Sequence, residues 1–259
     1  MTDAPRRTAT RIVSLVPSVT ESLFCLGLDD RIVGITDWCV HPSDRVSGLA
    51  RIGGTKNASV EQILALGPDL VIANREENRE RTVVALREAG IDVWVTYPRT
   101  VRDGVALLRE LADLGATAEA VESVVRPVEE AVRVAEGQRP ARGLPVFCPI
   151  WKRPWMTIGG DTYASSLLEL CGGANVFADC GDRRYPIVEL EQIVAAAPEV
   201  ILLPSEPYDF GPRDARELAG LTLPAARNGR IHFIDGTLVS WYGPRIEPAI
   251  ATIRALFCD

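Results

Sequence analysis

The sequence is short of the residues on which many metal and redox centres are built. It has only two histidines, His41 and His232, so a multi-histidine zinc site is excluded. Its six cysteines, at positions 25, 39, 148, 171, 180 and 258, form no C-x-x-C pair. They read as buried thiols, with Cys171 and Cys180 the pair best placed for a bridge. No apolar run approaches the roughly 18 residues needed to span a bilayer. The opening MTDAPRRTAT has no apolar h-region and no small-residue cleavage site, so no signal peptide is expected in it; either the protein stays in the cytoplasm or an export signal was lost or trimmed. Low-complexity segments, a G-x-S-x-G elbow, a P-loop and a G-x-G-x-x-G after a strand are all missing. Gly159-Gly160-Asp161-Thr162 resembles a phosphate turn but lacks the Lys-Ser/Thr that should follow. Asp161 or Asp235 as an acid or base has no histidine nearby in sequence. Basic residues are outnumbered 28 to 35, and the net charge of −7 argues against nucleic acid or an anionic membrane as partner.

What is present is ordinary globular material, 47% hydrophobic and 24% charged, in a chain of 259 residues that can form two lobes. The stretch Thr117–Gly137 organises it. Val121, Val124, Val125, Val128, Val132 and Ala135 fall on one helical stripe. Thr117 is placed to cap the N-terminus, Glu119 and Glu122 suit the helix dipole, and Gly137 is a stop. Pro127 lies inside this pattern and should kink it.

Strand and helix patterns alternate on both sides of this helix. Before it come strand Ile12–Val16, a helix to Leu26 opened by a Ser18/Glu21 capping box, and strand Ile32–Thr36. Helix Ser59–Leu66, strand Asp69–Ala73, helix Arg79–Ala89, strand Ile91–Tyr97 and helix Val101–Leu114 follow. After it come strand Val146–Ile150, helix Ala164–Cys171 stopped by Gly172-Gly173, and helix Glu189–Ala197. Strand Val200–Leu203, a short helix near Ala215–Gly220, strand Ile231–Ile234 and helix Pro244–Phe257 complete the chain. Such alternation predicts an α/β fold of two Rossmann-like lobes with mostly parallel sheets, joined by one long backbone helix. The division expected is residues 1–100 for the first lobe, 101–137 for connecting helices, and 138–259 for the second lobe.

The two halves also match each other. VEQILALGPDLVIANREE begins at Val60, and LEQIVAAAPEVILLPSEP begins at Leu190. Glu61/Glu191, Gln62/Gln192, Ile63/Ile193, Ala65/Ala195, Pro68/Pro198 and Glu76/Glu206 coincide. Any helix–Pro–strand unit has some of this character; duplicated, structurally equivalent lobes explain the shared register better.

Two α/β lobes joined by one helix, each carrying this unit, resemble the helical-backbone (class III) substrate-binding proteins of ABC importers. That family handles ferric siderophores, haem and cobalamin. RIVSLVPSVTESLFCLGL, PDLVIA, LLELCGGANVF and the late PRI are most similar to its cobalamin-binding branch. The resemblance covers nearly the whole chain after residue 10. It implies a monomeric, non-enzymatic protein that holds a corrinoid or related metal chelate in an inter-lobe cleft. It would deliver that ligand to an importer's membrane subunits, without a catalytic cofactor, at a periplasmic or cell-surface location. A cytoplasmic corrinoid or iron-chelate carrier or sensor, and an enzyme acting on such a ligand, stay open beside it. The resemblance further implies that Glu61 and Glu191 meet arginines on the importer, one glutamate per lobe. Dipole stabilisation at a helix start is the alternative for both.

Ligands of parallel α/β sheets gather at the carboxyl ends of strands. The loops there hold Trp38, Trp151, Trp155, Tyr185, Trp241 and Tyr242, leaving Trp94 as the one tryptophan inside a predicted strand. As a group they suit a large flat ligand; singly, each is equally well explained as a loop anchor. By resemblance, Trp38 and Tyr185 match positions that contact the corrin, and Trp151 and Met156 lie near two others. Thr55 and Asn74 stand where the cobalamin-binding relative has tryptophans. Lys56, Arg75, Lys152, Arg153, Arg183, Arg184 and Arg245 are candidate partners for carboxylate or phosphate, or else solvated charges. Asp37, Cys39 and His41 alternate and would share a face if extended, making a soft metal trio. Otherwise His41, preceding a proline, is structural.

Overall fold

In the computed structural model, residues 9–181 and 183–258 are described. The chain divides into two compact units: the chain up to Pro98 with Asp103–Val128 and Tyr242–Pro244, and Arg99–Arg102 with Glu129–Trp241 and Arg245–Asp259. The boundary falls inside the central helix rather than at its ends. Among the described residues, no helix is long and apolar enough to cross a membrane.

The first unit is built on β1 (Ile12–Ser14), β2 (Ile32–Ile35), β3 (Ala50–Arg51), β4 (Leu70–Asn74) and β5 (Asp92–Thr96). They pair in the order β3-β2-β1-β4-β5, every pair parallel. Strand order reverses between β1 and β4, which makes it a Rossmann-like sheet. All five residues of β4 are buried, as expected of a parallel strand covered on both faces. Val13, Leu15, Ile63, Val71, Ala73 and Leu86 form the core between that strand and the helices Val60–Ala65 and Glu80–Glu88. At Gly34 in β2 a Cβ would stand 2.5 Å from the tip of the Leu66 side chain, so glycine lets that leucine keep its place against the strand.

The second unit contains β6 (Leu144–Phe147), β7 (Pro149–Trp151), β8 (Met156–Thr157), β9 (Gly173–Asn175), β10 (Val200–Pro204) and β11 (Ile231–Ile234). Its parallel sheet runs β11-β10-β6-β9, while β7 and β8 form a separate antiparallel hairpin. The strand expected over Val146–Ile150 is therefore two: β6 ends at Phe147 and the chain turns out into the hairpin. Of the two glycines expected to stop a helix, Gly173 begins β9. Phe147, Trp155, Phe177, Ile193, Ile201, Leu203, Phe210 and Leu218 make up this core.

The central helix runs from Ala118 to Gly137 as expected, with the Thr117 hydroxyl accepting from the Ala120 N–H at 3.1 Å. Val125, Val128, Val132 and Ala135 on its stripe are buried. Pro127 interrupts it in a specific way. Residues Val121–Val125 form a π-turn, in which the Arg126 N–H bonds the Val121 carbonyl. The missing proline N–H is thus absorbed one turn upstream. The expected Ser18 cap is not made: Pro17 takes the first helical position, so the helix starts at Pro17 with Val16 as its cap residue.

The internal repeat maps onto equivalent places. Helix Val60–Ala65 precedes β4, which lies between β1 and β5; helix Leu190–Ala196 precedes β10, between β6 and β11. The first helix is followed by Gly67 with φ of 58°, the second by Ala197 with φ of 46°. An L-alanine in the left-handed region costs roughly 1–2 kcal/mol that glycine avoids. Ala197→Gly is expected to raise unfolding free energy by about 1 kcal/mol, and Gly67→Ala to lower it comparably, both read by urea denaturation. Opposite signs at the two equivalent positions are the result that supports their equivalence.

Candidate functional site

At the carboxyl edge of the first sheet, β2 runs into a tight turn in which the Cys39 N–H bonds the Thr36 carbonyl and the Val40 N–H bonds the Trp38 carbonyl. The backbone is therefore not extended here, and Asp37, Cys39 and His41 do not share a face. Asp37 is exposed, whereas Cys39 is buried with its sulfur 3.1 Å from both the Thr20 and Thr36 hydroxyls. Burial pushes its thiol up, the opposite of what a metal-binding thiolate needs. Among the described residues no group of three or more His, Cys, Asp or Glu is placed to hold a metal. The soft metal trio is thus corrected by the turn. Trp38 projects from that turn, its side chain 65% exposed.

The neighbouring loops are tied together by amides. The Asn78 Nδ2 donates to the Leu15 carbonyl at 3.2 Å and to the Thr55 carbonyl at 3.0 Å, while its Oδ1 accepts the Asn74 N–H at 2.7 Å. Asn74 is itself buried, accepting from the Glu76 and Glu77 N–H groups and donating to the Tyr242 hydroxyl at 3.0 Å. Tyr242 is buried beside it, and burial drives its phenol well above the ordinary value of 10.0. Thr55 is half-buried; the Lys56 ammonium donates to the Glu76 carbonyl. His41 is half-buried, and the Arg75 guanidinium lies 5.1 Å from the Tyr97 ring centroid.

In the second unit the hairpin carries the aromatics. Trp151 is 43% exposed and meets Tyr208 edge-on at 5.7 Å. Trp155 faces inward, stacked on Phe210 at 5.8 Å with 10° between planes. Met156, half-buried, bridges to Ile187, and near that segment Tyr185 is 39% exposed. Trp241 is buried, its Nε1 donating to Glu206 at 2.7 Å and its ring 4.9 Å beneath the Arg245 guanidinium. Of the six loop aromatics, then, Trp38, Trp151 and Tyr185 are exposed; Trp155, Trp241 and Tyr242 are packed in the protein. Cys171 and Cys180 are thiols, as are the other four cysteines.

The candidate cations are mostly engaged internally. Lys152 is buried and pairs with Asp214 at 2.6 Å and Glu217 at 2.7 Å, beneath the Trp155 ring. Arg184 pairs with Asp161 at 2.6 Å, and Arg99 contacts the same carboxylate. The Arg99 and Arg184 hydrogen bonds hold Asp161 below the ordinary carboxylate value, which makes it a poor general base. Arg245 faces Asp235 at 3.7 Å. Arg153, with φ of 66°, and Arg183 are exposed. Glu61 and Glu191 are both exposed at the second position of their helices, the same register in each unit. A depression of about 500 Å³ lined by Arg142, Cys171, Arg254 and Phe257 lies at the opposite, amino edge of the second sheet. Sequence reasoning missed Asn78 and Arg51. The Asn74/Asn78 spacing in a loop was a usable signal; Arg51 sits in a two-residue strand that left none.

Two parallel α/β units joined by a helix, with their carboxyl-edge loops bearing the exposed rings, define a two-lobed binding-protein architecture. Residues 12–238 match the periplasmic binding protein family model, and the chain belongs to that family. It is 31% identical over 201 residues to the vitamin B12-binding protein of Yersinia pestis, covering 77% of this chain and 71% of that one. The crystal structure of the periplasmic vitamin B12-binding protein BtuF of Vibrio cholerae matches with a TM-score of 0.83 at 24% identity, covering 96% and 97% of the two chains. The periplasmic heme-binding protein RhuT from Roseiflexus sp. RS-1 matches with a TM-score of 0.81 at 26% identity, covering 96% and 98%.

The Lys152–Asp214 pair gives this site a pH signature. Burial alone would raise the Asp214 carboxyl, but the Gly211 N–H and the Lys152 ammonium outweigh it and hold it below the ordinary value of 3.8. Its contribution to stability is complete above that value and is lost as pH falls through the depressed one. Lys152→Met should cost on the order of 3 kcal/mol near neutral pH, since it leaves a mostly buried carboxylate unpaired. The gap in melting temperature between wild type and Lys152→Met should shrink as pH is lowered below 3.8. A gap that stays constant down to the acid limit would show that the ion pair is not its source.

Proposed function

We propose that this protein is a substrate-binding protein that captures a large planar metal chelate, a corrinoid first, and delivers it unaltered to an ABC importer. The observation that carries the reading is the trio of exposed rings, Trp38 on the turn after β2, Trp151 on the β7–β8 hairpin and Tyr185 on the loop beside it. Exposing an indole costs hydrophobic free energy that a soluble protein normally recovers by burial. A ligand with extended apolar faces recovers it on binding. Kinship with vitamin B12-binding proteins supports the corrinoid, and the likeness to a heme-binding protein supports a haem-like ring as the second reading. Thr55, Lys56, Asn74, His41 and Met156, at or beside these loops, are proposed to shape the polar edge of the site. Trp155, Trp241 and Tyr242 support it from within.

Titration with cyanocobalamin, and separately with hemin, should quench tryptophan fluorescence while leaving the ligand's chemical identity unchanged. Trp38→Ala or Tyr185→Ala should weaken binding by about 1–3 kcal/mol with the fold intact. Unchanged affinity in both variants would remove these rings from the site.

Glu61 and Glu191 are proposed to dock the importer, each offering an exposed carboxylate in the same register. Such rim charges set orientation and association rate more than ligand affinity. The double variant Glu61→Ala with Glu191→Ala should bind ligand normally yet fail to support uptake in cells carrying the cognate importer. Full uptake by the double variant would return both residues to helix-dipole stabilisation. An absence of any importer interaction would favour an intracellular corrinoid carrier or sensor.

A further inference from the structure

The exposed Trp38 ring stands on a backbone that is unusually well tied down. Four separate attachments converge on residues 36–39. The Asp37 N–H bonds the Gly53 carbonyl at 2.9 Å, and the Cys39 sulfur lies against two buried threonine hydroxyls. One guanidinium supplies the rest. Arg51 Nη1 donates to the Thr36 carbonyl at 2.8 Å and to the Cys39 carbonyl at 3.0 Å, and its Nη2 reaches the Val46 carbonyl at 3.4 Å. Arg51 therefore brackets Trp38 from both sides in sequence while making its bonds only to main-chain oxygens.

The ring itself is also seated. A Cβ on Gly54 would meet the Asn57 Oδ1 at 2.5 Å and the Trp38 Nε1 at 3.2 Å, so the edge of the indole lies close to the Gly54 backbone. Thr36 and Cys39 are wholly buried. Without the guanidinium, the Cys39 carbonyl would lose its donor and the turn would have to open to water. Rotation of that turn moves Trp38, because the ring is carried on the backbone of the turn.

We infer that Arg51 is a positioning residue that pre-organises Trp38 as a ligand platform, acting through the turn and not by touching ligand. This rests on the reading of Trp38 as part of the binding site. Holding a ring in its bound orientation before the ligand arrives removes an ordering cost that would otherwise subtract from affinity. A lysine ammonium could donate to the Thr36 and Cys39 carbonyls from its one nitrogen, as Nη1 does, but has no second nitrogen to reach Val46 and no planar group to fix the direction of these bonds.

The test has a ligand-free arm and a ligand arm. In hydrogen exchange of the full chain, Arg51→Met should speed exchange of the amides of residues 37–41 by about tenfold, with exchange in β4 and the melting temperature nearly unchanged. Arg51→Lys should fall between. In cyanocobalamin and hemin titrations, Arg51→Met should weaken binding about tenfold. Adding Arg51→Met to Trp38→Ala should then cost nothing more, because a positioning effect vanishes with the group positioned. Unchanged exchange at residues 37–41, or losses that add in the double variant, would overturn the inference. The exchange arm is read without ligand, so it decides on Arg51 even where neither probe binds and the binding reading itself fails. Arg51→Lys keeps both arms decisive if Arg51→Met does not fold.

Discussion

Covering a parallel sheet on both faces leaves it only two places to meet water, its amino edge and its carboxyl edge. In β4 and β10 every residue is buried, so the main chain leaving these strands must satisfy its polar groups at the ends. Both units meet that demand with short side chains rather than with more secondary structure. In the first, Asn78 joins the chain after β1, β3 and β4. In the second, Asn175 Nδ2 donates to the Ile158 carbonyl at 2.9 Å and the Thr157 hydroxyl to the Cys148 carbonyl at 2.7 Å. Loops held this way are irregular in shape yet fixed in place, which is what a binding edge needs.

The same constraint sorts the aromatic residues. Trp155 has Phe210 on one side and the Lys152 ammonium over its ring, so the protein itself supplies its contacts. Trp241 has its N–H bonded by Glu206 and a guanidinium over its face. Burial of Trp241 is matched to its polar handle. Trp38, by contrast, is two-thirds exposed on a turn whose backbone is fixed by Arg51 and by the Cys39 anchor. Rigid support beneath an exposed indole makes no sense as a core device. It fits the ligand-platform role proposed for Trp38.

How much of this was legible in the sequence varied with the physics of each element. The central helix and the strand–helix alternation were readable because 3.6-residue periodicity and fully apolar runs are imposed by burial. β3 and β9 are two and three residues long, too short for any period, and they were missed. The S-x-x-E pattern at Ser18 was misleading because Pro17, with its fixed φ, claimed the helix start. Asp37, Cys39 and His41 misled for a related reason: alternation predicts a shared face only if the backbone is extended, and here it turns. Loop aromatics carry no periodicity, so nothing in the sequence could separate the exposed Trp38 from the buried Trp155. Lys152 was legible as a cation but not as a spent one, since Asp214 and Glu217 lie some sixty residues away and meet it only in the fold.

Between the two helix–strand units, groups that do the same structural job have changed chemistry. Ser59 caps one helix and Glu189 the other, and Gly67 stands where Ala197 tolerates a left-handed backbone. The core needs only that each job be done, so Ile63 and Ile193 coincide because they are buried in the same place. Glu61 and Glu191 are different in kind, being exposed. Their gain from the helix dipole, about 0.3–1 kcal/mol, is available to an aspartate or to a neighbouring position in the same turn. Folding energetics therefore leave the identity and register of this pair underdetermined. The docking role proposed for Glu61 and Glu191 would impose that missing constraint from outside the chain, once on each unit.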